Sequence, residues 1–107
     1  MEQQVHKLTE VWAADEKMLG LVQRKFSRTE RVNPDLLLYQ YYLEVENYEI
    51  GATYFVPADF VDDQESDRDI VWLTVSYREV LERTWARMPT FIARGEAIEE
   101  TLPGGSS

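Results

Sequence analysis

From the N-terminal region onward, apolar residues recur at Val5, Leu8, Trp12, Leu19, Val22 and Phe26, a three-four spacing interrupted only at Asp15. Apolar groups at that period fall on one side of a helix, so the chain is predicted to open with an amphipathic helix that buries this stripe. Gly20 lies inside it, costs about 1 kcal/mol relative to alanine, and marks a place to bend. The same stripe would also serve for pairing with a second copy, so a homodimer is one expectation. Arg24, Lys25, Arg28 and Arg31 follow with Glu30 the one acid among them. Bases there complement the negative end of a helix, or meet acids elsewhere in the fold or in a neighbouring copy.

The next stretch carries two periodicities. Asn33, Pro34 and Asp35 make a helix start, and Leu38, Tyr41, Val45 and Tyr48 would line one helical face. Against that, Leu37, Tyr39, Tyr41, Leu43 and Val45 alternate, as do Ile50, Ala52, Tyr54 and Val56, in a region dense in tyrosine and β-branched side chains. Strand composition prevails, which predicts a hairpin connected by Glu46, Asn47, Tyr48 and Glu49, with Asn47 supplying a left-handed conformation.

Beyond Pro57, the polar run from Asp62 to Asp69 reads as an exposed loop, and Ile70 to Val75 as a strand. Ser76 and Glu79 have the spacing of a capping box, which starts a helix where the strand stops. That helix is predicted to turn Val80, Leu81, Trp85 and Met88 inward until Pro89 breaks it, with Phe91 and Ile92 packing one further turn. Gly95 reads as a terminator, followed by a short acidic segment and a tail. The expected fold is therefore α+β, helix-strand-strand-strand-helix with a three-stranded antiparallel sheet; the alternative is an all-α small helical bundle. Residues 1–98 are expected to form one globular domain and 99–107 a flexible tail.

A length of 107 residues with 44% hydrophobic side chains supports a single core. The absence of cysteine removes disulfides, thiolate metal sites and thiol nucleophiles. No segment approaches the ~20 apolar residues of a membrane span and the N-terminus lacks a signal-like pattern, so a soluble cytoplasmic protein is expected.

Charge changes the picture most. Asp35 to Asp69 holds ten carboxylates against the single base Arg68, so the whole net charge of -9 falls in that third, together with five of the six tyrosines. Concentrated charge is a surface feature suited to a partner of opposite sign, and it opposes direct contact with nucleic acid or anionic membrane.

Candidate chemistry is sparse. His6 is the one imidazole, and neither a nucleophile elbow nor a glycine-rich phosphate cradle is present. Asp63, Glu65, Asp67 and Asp69 alternate as in a calcium loop, but Arg68 stands where that loop needs glycine and Thr74 where it needs its bidentate glutamate. No catalytic residue, metal or cofactor is therefore assigned.

What remains is a partner-binding set: Tyr39, Tyr41, Glu44, Glu46, Tyr48, Glu49, Asp62, Asp63, Glu65 and Asp67. Residues two apart on an extended chain share a side, so these acids would form rows among rigid amphipathic tyrosines. The expected function is a small acidic, non-enzymatic protein-interaction module, in its sharpest form a phage-type inhibitor that mimics nucleic acid to occupy a basic site on a partner protein. One alternative is an acidic chaperone or immunity-type protein bound to a single effector or toxin. Another is a small-ligand binder with Trp12, Trp72 and Trp85 lining a pocket.

Overall fold

The computed structural model describes residues 8–28, 40–66, 70–83, 85–100 and 102. Among the described residues six strands are present: β1 (Glu10–Trp12), β2 (Met18–Arg28), β3 (Tyr41–Asn47), β4 (Ala52–Pro57), β5 (Ile70–Trp72) and β6 (Ala97–Glu100). Two short helices, α1 (Tyr77–Glu82) and α2 (Thr90–Ala93), are also present among the described residues. The strand order is β4-β3-β2-β1-β5, with β6 also on β2. All pairings are antiparallel except β1 with β5, which makes the sheet mixed.

This overturns both expected architectures, the three-stranded sheet between two helices and the all-α bundle. The error begins at the N-terminal stripe, where β1 and β2 form a hairpin instead of a helix. Val11, Leu19 and Val22 are fully buried in one core cluster, Phe26 belongs to a second, and Leu8 is exposed. Apolar groups placed on both faces, with register irregularities between Val11 and Trp12 and between Val22 and Arg24, produce by coincidence the spacing of a helix face. The β1–β2 turn is equally hard to read, because its left-handed residue is Glu16 (φ 63) where glycine or asparagine would be the signal.

At eleven residues, β2 is long enough to hold two neighbours on one edge. Its first half pairs with β1 and its second half, Lys25 to Arg28, with β6. The acidic segment after Gly95 is thus a strand through Glu100. Beyond β5 the ladder continues: Val61 bridges Leu73, the Asp62 amide donates to Trp72, and the Thr74 amide donates to Phe60. Since Val61 follows β4 after the short 3-10 turn Ala58–Phe60, the two ends of the strand order are joined and the sheet curls on itself. The Phe55 amide donates to the Trp85 carbonyl, so the chain after α1 runs along β4.

Curling produces an inner and an outer face. The inner face holds Val11, Val22, Leu43, Val45, Tyr54, Val56, Val71 and Leu73, closed by Val80 and Trp85. On the outer face Phe26, Tyr42 and Phe55 pack under Phe91 of α2.

The predicted β3–β4 hairpin is present, but its turn falls at residues 48–51, not 46–49, because Glu46 and Asn47 still pair with Thr53 and Ala52. Asn47, however, acts through its side chain, whose Oδ1 accepts from the amides of Glu49 and Ile50, and the left-handed residue is Gly51 (φ 68). The capping box also forms as predicted: Ser76 Oγ accepts from the Glu79 amide at 3.2 Å and Glu79 Oε1 accepts from the Ser76 amide at 3.2 Å. Of the four side chains expected inward, Val80 and Trp85 are buried, whereas Leu81 and Met88 are exposed. The helix ends at Glu82, too short to bring a third turn onto the core. Among the described residues, no helix is long and apolar enough to cross a membrane.

Candidate protein-interaction surface

The directions of the strands decide which candidate residues meet. β1, β3 and β5 run one way and β2 and β4 the other, so the β1–β2 turn (13–17) and the β3–β4 turn (48–51) lie at one end of the sheet. The acidic loop that begins at Asp62 folds against β5, where the Asp62 amide donates to the Trp72 carbonyl and Ser66 Oγ bonds to the Trp72 backbone, and β1 and β2 stand between it and β3. The two acidic segments are therefore not neighbours in the sheet.

Within β3 the acids divide again. Glu44 is only 8% exposed and is engaged by Arg24 in a two-pronged bond, Nε to Oε1 at 2.7 Å and Nη2 to Oε2 at 2.9 Å. Arg24 also lies 3.8 Å from Glu99 of β6, and its guanidinium sits 5.0 Å from the centroid of the Phe26 ring. The hydrogen bonds to Glu44, reinforced by the nearby carboxylate charges, hold Arg24 above its usual pKa despite some desolvation. Part of the basic cluster between Arg24 and Arg31 thus meets the acidic segment inside the fold.

Two residues on, Glu46 stands opposite Leu21 on the same outer face. It lines a half-open cleft of about 280 Å³ with Met18, Gly20, Leu21, Asn47, Tyr48 and Glu49. Tyr48 is 60% exposed at its lip, and Ile50 beside it is equally open. No base pairs with Glu46 or Glu49 among the described residues. Gly20 lies in the cleft lining, and a Cβ there would run into the Glu46 carbonyl.

Other candidates have different surroundings. Tyr41 is 37% exposed with Lys25 Nζ at 4.6 Å from its ring centroid. Asp62 Oδ1 accepts from the amides of Gln64 and Glu65, which folds the loop on itself and leaves Asp63 and Glu65 exposed. Tyr39 and Asp67 lie outside the described residues. Tyr54, in the hairpin but on the inner face, is 2% exposed, with its hydroxyl 3.2 Å from that of Tyr77. Burial first, then the bond to Tyr77, pushes its pKa up to about 12.

The three tryptophans do not line one pocket. Trp85 packs in the inner core against Phe60, while Trp12 and Trp72 meet on the outer face. The cleft residues Met18, Gly20 and Leu21 escaped the sequence reading because they were placed on a helix. Glu10, Val11 and Trp12, whose middle side chain alone is fully buried, held the alternation that would have revealed β1.

Comparison with known proteins finds no matching family model, no matching curated protein and no matching solved structure.

Proposed function

We propose that the chain is a non-enzymatic protein-interaction module that receives a basic, partly apolar segment of a partner protein at the hairpin end of the sheet. The observation that supports this reading is the cleft itself: Glu46 and Glu49 flank an exposed Tyr48 and the apolar side chains of Met18 and Leu21. Asp15 and Glu16 in the adjacent turn add charge of the same sign, against Lys17. Carboxylates around an apolar floor suit a ligand that is cationic at its tips and aliphatic along its stem.

Nucleic-acid mimicry draws less support than this mixed surface. It asks for an unbroken row of free carboxylates, but Glu44 is neutralised by Arg24, and β2 and β1 stand between the hairpin and the Asp62 loop. The chaperone- or immunity-type reading keeps one argument, the exposed Met18, Tyr48 and Ile50, which would bind an effector through apolar contact alone.

Affinity capture from lysate at low and high salt separates these readings. The wild-type chain should retain a basic partner that high salt releases, because exposed charge pairs are screened. Glu46→Gln with Glu49→Gln should lose that partner, and Asp63→Asn with Glu65→Gln should keep it. Salt-indifferent capture that survives the hairpin substitutions would establish the apolar reading instead.

A further inference from the structure

The outer face of the sheet is unequally covered. Phe91 of α2 packs on Phe26, Tyr42 and Phe55. Elsewhere on that face, Trp12 and Trp72 stand side by side on the parallel strands β1 and β5, ring centroids 5.8 Å apart and planes tilted by 39°. Both indoles are only half-buried, while their neighbours Val11 and Val71 are fully buried on the inner face. A tryptophan pair left partly in water is the composition of a binding hot spot.

Register carries this pair into the cleft. Trp12 faces Met18, Glu10 faces Leu21, and Leu21 faces Glu46 across adjacent strands. Opposed residues share a face, so Trp72, Trp12, Met18 and Leu21 form one apolar strip that ends in the cleft, bordered by Glu10 and Glu46. Glu10 Oε1 accepts from the Trp12 indole at 2.9 Å, which fixes a carboxylate beside the rings. Among the described residues no base pairs with Glu10.

We propose that this strip is the docking groove for an arginine-bearing polypeptide segment of the partner. The guanidinium stacks on the exposed flank of the Trp12–Trp72 pair and bonds to Glu10, and adjoining aliphatic side chains rest on Met18 and Leu21. A guanidinium suits the place because it is planar, weakly hydrated, stacks on aromatic faces and pairs with carboxylates in a fork, whereas a lysine ammonium offers charge without the planar stack. A second copy of the chain is the poorer occupant, since it would bring the same Glu10 and Glu46 against themselves. The inference rests on the proposed function, extending that site to β1 and β5 and naming the side chain it recognises.

Titration of the isotope-labelled full chain with acetyl-Leu-Arg-Leu-Arg-Leu-amide, followed by NMR, tests it. The indole N–H signals of Trp12 and Trp72 should shift saturably and that of Trp85 should not. The lysine version of the peptide should bind about tenfold more weakly, and the citrulline version should not bind. Glu10→Gln should weaken the arginine peptide, and Trp72→Leu, with its amide dispersion retained, should abolish binding. If Trp72→Leu does not fold, Glu10→Gln and the three peptides on the wild-type chain still decide. Equal binding of arginine and lysine peptides, or no shift with any peptide, overturns the inference. Shifts confined to residues 46–49 overturn it while leaving the hairpin reading intact. Indole shifts that ignore salt and persist in Glu46→Gln with Glu49→Gln sink the hairpin reading instead. Indole shifts that follow protein concentration without peptide assign the strip to a second copy and overturn the proposal.

Discussion

At Gly20 the absence of a side chain sets the spacing of two strands. A Cβ there would meet the Glu46 carbonyl and lie 2.9 Å from the Asn47 amide nitrogen, both backbone atoms that cannot rotate away. Gly20→Ala should therefore cost about 2 kcal/mol, read as a lower urea midpoint, because β2 and β3 must part. Gly51→Ala meets open space and bears only the strain of its left-handed backbone, about 1 kcal/mol. Tyr54 supplies a second residue-scale prediction through pH. Its pKa in the folded chain, about 12, lies above the ordinary 10.0, so below pH 10 both states keep the proton and stability does not change. Between pH 10 and 12 the unfolded chain releases the proton first, which removes on the order of 2 kcal/mol of stability. Urea midpoints should fall across that window in the wild type, and the extra fall should vanish in Tyr54→Phe.

The elements that were legible in the sequence are those whose determinants are local. The capping box needs only Ser76 and Glu79, and the β3–β4 hairpin needs only alternation and a polar connection, so both were readable without knowing the rest of the fold. The β1–β2 hairpin was not, because its turn places a glutamate in the left-handed region and its strands carry apolar groups on two faces. Strand β6 was hidden for a different reason: Ala97, Ile98, Glu99 and Glu100 have no strand pattern of their own and are held by pairing with β2. The Arg24–Glu44 pair binds neighbouring strands at the irregularity after Val22. With Arg24 45% exposed at the side chain, solvent screens it, so a double-mutant cycle of Arg24→Ala and Glu44→Ala should return a coupling of about 1 kcal/mol. Additive single effects would mean that the pair contributes only packing.

On the scale of the whole molecule, the concentration of charge between Asp35 and Asp69 was plain in the sequence, as were the exposed polar run and the tyrosine-rich hairpin. Where those charges stand was decided by tertiary structure. Strand order puts β2 and β1 between the acidic hairpin and the Asp62 loop, and cross-strand pairing spends Glu44 on Arg24 while leaving Glu46 beside an apolar cleft. The joining of Trp12 to Trp72, sixty positions apart in the chain, came the same way. Residue types and local spacings fix turns, caps and net charge because those depend on neighbours in sequence. Which side chains share a surface depends on register between distant strands, and in a curled sheet apolar on both faces the linear pattern no longer tells inside from outside.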